Sequence, residues 1–246
     1  MSPSLSQSFG YEQVSEDERE RRIRAVFNAV APRYDLMNDV MSFGIHRLWK
    51  RGMAKAAMLK PGELVVDLAG GTGDVARLLA GEGRRVVVCD PSVEMMAVGK
   101  ARSPNLEFPG IEFVEGKAEA MPFADASVDL VTIAFGLRNA TSPEAGLAEI
   151  LRVLKPGGRF LCLEFSRPWA VIRPFYDAYS FAVIPRLGAW IARQPSAYSY
   201  LVESIRRFPD QREMAGLMRA AGFARVEWRN LSAGIACLHS GAKPAP

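Results

Sequence analysis

From Leu64 onward, short runs rich in β-branched residues alternate with longer segments whose apolar positions recur every three or four residues. Uninterrupted apolar runs signal buried strands and 3.6-residue stripes signal helices, so the alternation predicts βαβ units and a parallel sheet. The predicted strands are Leu64–Leu68, Arg85–Asp90, Ile111–Glu115, Val128–Phe135 and Arg159–Glu164, with helices near Asp74–Ala80, Ser92–Ala101 and Ser142–Leu154. Lys155-Pro156-Gly157-Gly158 reads as a stop and turn before the fifth strand. Ahead of the sheet, Ser15-Glu16-Asp17-Glu18 has the form of a helix-capping box, and Ile23, Val26, Phe27 and Val30 follow at helical spacing. A helix is therefore expected from Ser15 to just before Pro32, and a second from Leu48 to Leu59, ended by Lys60-Pro61-Gly62. Beyond Glu164 the rhythm breaks into a segment dense in aromatics and prolines. After about Arg207 come a helix over Asp210–Ala221, a Gly222 stop, and two runs, Arg225–Asn230 and Gly234–His239, that read as an antiparallel pair.

Length and composition narrow this picture. With 246 residues and 49% hydrophobic side chains, one α/β domain is expected over 15–246, made of a helical cap (15–60), the sheet and an aromatic-rich lid or insertion (166–207). Residues 1–14, which open rich in Ser, are expected to be a disordered tail without a secretory signal. A net charge of +4 with no dense basic run does not point to nucleic acid, and no such partner is expected. Cys89, Cys162 and Cys237 sit in apolar runs without paired spacing, which predicts buried, reduced thiols and no metal site. No stretch reaches the roughly 18 uncharged apolar residues that span a bilayer. The nearest, Phe175–Ile191, is broken by Asp177, Pro185 and Arg186.

The candidate chemistry begins at Asp67-Leu68-Ala69-Gly70-Gly71-Thr72-Gly73, between the first predicted strand and its helix. Ligands of doubly wound sheets bind at the carboxyl ends of strands, and glycines let the backbone approach them closely. Gly71 and Gly73 supply that freedom, Thr72 a hydroxyl, and Asp90 at the second strand's end can accept from two ribose hydroxyls. Gly71 to Ala76 also fits the G-x-G-x-x-A dinucleotide fingerprint. Asp67 and Asp74 tip the balance, since two carboxylates oppose a pyrophosphate and welcome a cationic sulfonium. S-adenosylmethionine is the cofactor this favours, with Lys117 and Ala118, after the third strand, placed to read an adenine edge through backbone groups.

Further segments carry a family resemblance: VFNAVAPRYDLMNDVMSFGIHRLWKR (Val26–Arg51), DLAGGTGD (Asp67–Asp74), FGLRN (Phe135–Asn139), LKPGGRFLCLEF (Leu154–Phe165), YDAYSF (Tyr176–Phe181) and YLVESIRRFPDQ (Tyr200–Gln211). In this order they resemble the ubiquinone/menaquinone biosynthesis C-methyltransferases over nearly the whole chain. The resemblance implies a class I methyltransferase, Rossmann-like α/β fold with a seven-stranded, mostly parallel sheet whose last strand is antiparallel. It implies methylation of a ring carbon of a polyprenylated benzoquinol or of demethylmenaquinol, with Thr72, Asp90, Lys117 and Ala118 at the cofactor. The unpaired cysteines fit a reducing cytoplasm, and peripheral contact at the inner face of the membrane, membership of a quinone-synthesis complex and a homodimer are arrangements to test. Some members carry Ser in place of Ala134 and Asn in place of Lys117, so the contacts there are read as backbone ones.

A ring carbon attacks a methyl sulfonium well once a neighbouring hydroxyl is ionised, and a phenol near pKa 10 needs help to ionise. Arg138, beside the expected methyl position, is the first candidate to stabilise phenolate, and Asn139 the candidate to orient a substrate oxygen or a water. An Arg138–carboxylate pair is the structural alternative. The base candidates are His46, Asp35, Tyr34 and Glu164, with relayed water beside them. Trp169, Val171, Phe175, Phe181, Trp190 and their apolar neighbours are too many for a plain loop, and a lid, a dimer face, a membrane contact and a packed subdomain are the readings open to them. A cofactor-binding assembly protein without turnover is the alternative function. A nucleic-acid amino-methylating enzyme is disfavoured by Ala134-Phe135-Gly136-Leu137 where an Asn/Asp-Pro-Pro motif belongs.

Overall fold

The computed structural model describes residues 7–102, 111–182, 186 and 195–245. Two short strands, β1 (Ser8–Phe9) and β2 (Glu12–Gln13), pair as a hairpin ahead of α1 (Glu16–Val30), which corrects the expected disordered tail over residues 7–14. Distant groups hold it: Phe9 stacks on Tyr200, Glu203 accepts from the Tyr11 N–H, and Arg207 donates to the Gly10 carbonyl. At the start of α1 the Ser15 hydroxyl accepts from the Glu18 N–H, as predicted, while the Glu18 carboxylate pairs with Arg22. Next come α2 (Tyr34–Ser42), which the sequence pattern did not reveal, and α3 (Ile45–Ala56), which starts three residues before Leu48. The corner between them is Phe43 and Gly44, both left-handed at φ 49° and 73°.

The alternation predicted next is present as β3 (Leu64–Leu68), α4 (Asp74–Leu79), β4 (Arg85–Asp90), α5 (Val93–Ala101), β5 (Ile111–Glu115), β6 (Val128–Ala134), α6 (Pro143–Val153) and β7 (Leu154–Phe165). Ser92 and Ser142 act as caps, their hydroxyls accepting from the Met95 and Ala145 N–H groups. The Lys155–Gly158 stop follows the end of α6 and interrupts the ladder at the start of β7. Leu154 pairs with Val128, the register jumps to Arg159 opposite Leu130, and Gly157 takes φ 76° between them. The aromatic segment carries α7 (Arg173–Ala182) and α8 (Pro195–Arg207), and α9 (Gln211–Ala220) precedes β8 (Ala224–Leu231) and β9 (Ala236–Ala242). Trp190, with Val183, Ile184, Leu187, Ile191 and Arg193, lies outside the described residues.

The sheet runs β5–β4–β3–β6–β7–β9–β8, parallel through β7, with β9 antiparallel to both its neighbours. The expected seven-stranded sheet with an antiparallel last strand is therefore observed. Alternating residues face opposite layers. Val66, Leu68, Val131 and Ile133 pack with Leu147, Ile150, Met214 and Met218, whereas Val65, Val86, Val88 and Leu130 pack with Trp49, Met53, Val75 and Leu79. Strands buried on both faces leave no polar side to show in the sequence, which is why they read as continuous apolar runs. All three cysteines are buried free thiols. The chain winds outward from β3 to β5 and returns to β6, so strand order reverses between β3 and β6, where a doubly wound sheet opens its ligand crevice.

Candidate active site

The glycine turn leaves β3 at this crevice. Asp67, almost wholly buried, accepts from Thr132 Oγ1 at 2.9 Å and from the Ala76 N–H at 3.1 Å, which ties β3 to β6 and to α4. A Cβ on Gly70 would lie 2.7 Å from Asp67 Oδ2, so only glycine lets the turn fold over that carboxyl. Gly73 caps α4 at φ 79°, a conformation that favours glycine. Asp90, at the end of β4, accepts from the Gly71 N–H and the Ser92 N–H, both at 2.8 Å, and so joins the turn to α5. Burial pushes Asp67 up to about 7 and Asp90 up to about 6, against the hydrogen bonds they accept.

A cavity opens over this turn. Together with the open solvent at its mouth it spans about 1140 Å³, room for a nucleoside-sized ligand. The expected cofactor residues Asp67, Gly71, Thr72, Asp90, Lys117 and Ala118 line it, and Gly73 shapes the turn beneath. Thr72 is buried and its hydroxyl donates toward Asp35 at 3.3 Å. The Lys117 side chain reaches Glu20 on α1 at 2.6 Å, which leaves backbone groups as its contribution to the cavity floor. Asp74 changes the charge argument: it pairs with Lys50 at 3.2 Å and Arg77 at 2.7 Å. Burial opposes the Asp74 charge, but the two cations outweigh it and hold its carboxyl below the ordinary value. Even so, five carboxyl groups (Glu20, Asp67, Asp74, Asp90, Glu119) face three cations (Arg24, Lys50, Lys117) around the lining, and with Asp67 only partly ionised at neutral pH the balance still suits a cationic ligand over a pyrophosphate.

Sequence reasoning missed one wall. Glu20, Ile23, Arg24 and Phe27 stand on one face of α1, and Lys50 projects from α3. The i, i+3, i+4, i+7 spacing was visible, but an α1 stripe does not say whether it covers a core or a ligand.

A smaller cavity of about 450 Å³ adjoins the first, and Phe27, Tyr34 and Asn139 line both. Its other walls are Val26, Val30, Met37 and Met41, with Arg138 and Tyr200 among its polar groups. Arg138 is not beside the larger cavity as a free cation. It is buried against Glu164 at 3.0 Å, so the alternative reading as an ion pair is the one the structure gives, and the guanidinium touches the smaller cavity already neutralised. Glu164 is thereby spoken for as well, and its carboxyl is raised by burial. The expectation that His46 faces the site is corrected. It lines neither cavity, its Nε2 lies 2.9 Å from Asp39 Oδ1, and burial lowers its pKa. Of the four base candidates, Tyr34 alone lines a cavity, while Asp35 pairs with Arg102 and accepts from Thr72.

Strand order 5–4–3–6–7–9–8 with a ligand cavity at the reversal point defines a class I methyltransferase fold. Solved structures share it: a possible histamine N-methyltransferase from Thermotoga maritima (TM-score 0.65, 22% identity, 90% of this chain and 99% of that one) and the [4+2]-cyclase SpnF (0.69, 15%, 92% and 97%). Since one of them is a cyclase, fold alone does not fix the reaction. The chain belongs to the ubiE/COQ5 methyltransferase family, whose profile matches residues 14–243, and it is an enzyme of that methyltransferase class. The ubiquinone/menaquinone biosynthesis C-methyltransferase UbiE of Rubrivivax gelatinosus is 63% identical to it, over 98% of this chain and 94% of that one. Its namesakes from Acidiphilium cryptum (50%; 95% of each) and Klebsiella pneumoniae (47%; 96% of each) are similar to it along the same length.

Proposed function

We propose that this enzyme transfers the methyl group of S-adenosylmethionine to a ring carbon of a polyprenylated quinol, either demethylmenaquinol or 2-methoxy-6-polyprenyl-1,4-benzoquinol. The observation that carries the reading is the pair of adjoining cavities, one acidic in balance over a glycine turn, the other apolar with polar groups where the two meet. When bound, the cofactor supplies an electrophilic methyl group on a cationic sulfur. Transfer to the ring carbon would leave the neutral thioether S-adenosylhomocysteine, and the ring C–H proton would pass to water. Asp90 binds ribose hydroxyls through its remaining lone pairs, and the turn amides and the backbone at Lys117 and Ala118 hold the rest. Asn139 orients a ring oxygen from the junction, Tyr34 lines both cavities as a group that can hydrogen-bond the same oxygen, and the apolar walls exclude water. Holding the two reactants in line supplies roughly 7–11 kcal/mol of the barrier reduction.

A polyprenyl tail keeps its quinol in the bilayer, at about 0.8 kcal/mol per buried CH₂. Exposed Phe43, Trp169, Val171, Phe175 and Phe181 support peripheral contact there, since no described helix is long and apolar enough to cross a membrane. Purified protein, labelled cofactor and short-chain reduced quinones test the chemistry: label appears in the quinol. Tight cofactor binding with no transfer to any reduced quinone would overturn the reading.

A further inference from the structure

The hairpin at the amino end of the chain reaches the junction of the two cavities by two routes. Arg19, buried on α1, sends its guanidinium to carbonyls: Ser8 of β1 at 2.8 Å, Arg138 at 3.1 Å, Asn139 at 3.3 Å and Ala140 at 2.7 Å. One side chain therefore ties the hairpin to the 138–140 turn that carries the site's polar groups. On the other side, the Phe9 ring stacks on Tyr200 of α8, with centroids 4.3 Å apart and planes 10° from parallel. The Tyr200 hydroxyl donates to Asn139 Oδ1 at 3.1 Å, and Asn139 Nδ2 donates to the Phe135 carbonyl at 3.4 Å. Burial pushes the Tyr200 phenol up, so it remains a proton donor at neutral pH.

These bonds choose which end of the Asn139 amide meets a ligand. An amide has a carbonyl oxygen and two N–H donors. With the oxygen held by Tyr200 and one N–H directed to Phe135, the second N–H is the group left for the junction. We propose that Phe9 is a positioning residue that acts through Tyr200 to hold Asn139 as a hydrogen-bond donor to the acceptor's ring oxygen. This rests on the quinol reading, in which that oxygen gains negative charge as the ring is activated. A donor stabilises such an oxygen, whereas the amide's carbonyl, turned to the same place, repels it.

The experiment compares Phe9→Leu, which keeps an apolar contact and removes the stack, with Tyr200→Phe, which keeps a stackable ring and removes the hydroxyl, and with the double variant. Steady-state kcat and KM for a short-chain quinol, cofactor Kd and Tm are measured on each full-length protein. Each single variant is expected to lower kcat about five- to tenfold, the loss of one hydrogen bond's worth of positioning, with cofactor Kd unchanged to about twofold. In the Tyr200→Phe background, Phe9→Leu should change kcat by less than about twofold, because the hydroxyl through which it acts is gone. A lowered Tm with unchanged kcat for Phe9→Leu overturns the proposal, as do two losses that simply multiply. Wild-type protein that methylates no quinol overturns the quinol reading and this inference together, while wild-type turnover with a normal Phe9→Leu kcat overturns the inference alone.

Discussion

At the scale of single residues, the two buried carboxyls under the cavity carry the clearest consequences. Asp90 binds two backbone N–H groups and retains lone pairs toward the ligand. Asp90→Ala should weaken cofactor binding by roughly 1.5–3 kcal/mol, the range for hydrogen bonds to a charged group, and a calorimetric titration with an unchanged Kd would remove Asp90 from the site. Asp67 moves from 3.8 to about 7 because it is desolvated. Between those values the folded chain keeps a proton that the unfolded chain has released, so ligand-free stability falls as pH rises from about 4 to about 7 and levels off above. Asp67→Asn, which mimics the protonated form toward Thr132 and Ala76, should flatten that part of the Tm profile; an unaltered slope would assign it to other groups. Glu164 makes a third case. Removing it leaves the buried Arg138 charge uncompensated, so Glu164→Ala should cost about 3–5 kcal/mol in denaturant unfolding. Legibility divides along the same line. Asp67, Gly71, Thr72 and Asp90 could be read because the turn and the strand end beside it have their own sequence signals, but the Arg138–Glu164 pair joins the turn after β6 to β7, and no pattern within FGLRN announces which carboxylate it will meet.

At the scale of elements, the strands β3, β4, β6 and β7 were legible because burial on both faces writes them as apolar runs, and Ser92, Ser142 and Asp210 marked helix starts through their own hydroxyl or carboxyl chemistry. The elements that escaped are those whose stability comes from elsewhere in the chain. In α2, Asn38, Asp39, Val40 and Ser42 are poor helix formers, and the helix stands because Met37 packs with Val30 and Val202. The β1–β2 hairpin is too short to persist alone and depends on Phe9, Gly10 and Tyr11 meeting Tyr200, Arg207 and Glu203 some 190 residues later. Capping gives a contrasting test. Asp210 and Glu213 form a reciprocal capping box at α9, far from either cavity lining. Asp210→Ala should therefore lower stability by about 1 kcal/mol, or Tm by roughly 2–4 °C, and leave cofactor Kd unchanged. A shifted Kd would mean that α9 communicates with the site through the sheet.

At the scale of the whole molecule, the question is how a cavity of about 450 Å³ serves an acceptor whose tail is far larger. For the polyprenyl quinol proposed above, the tail exceeds this space, and the proposed bilayer contact would hold the remainder. Exposed apolar side chains are the candidates for that proposed contact. Phe43 is 79% exposed at the α2–α3 corner, its ring 6.0 Å from Tyr179 of α7, and Val171 and Phe175 next to and within α7 are 81% and 77% exposed. Water-exposed side chains of this size gain roughly 1.5–3 kcal/mol each when buried in an apolar phase, so a few of them suffice for reversible docking. Val171→Asp with Phe175→Asp should reduce co-sedimentation with anionic vesicles at least about tenfold and raise KM for a long-tailed quinol presented in those vesicles. Neither residue lines a cavity, so kcat with a short-tailed quinol in buffer should stay at the wild-type value. That contrast separates docking from catalysis. Equal loss on both substrates would place these side chains in the packing of the active site, and equal vesicle binding by wild type and variant would remove them from the proposed membrane contact.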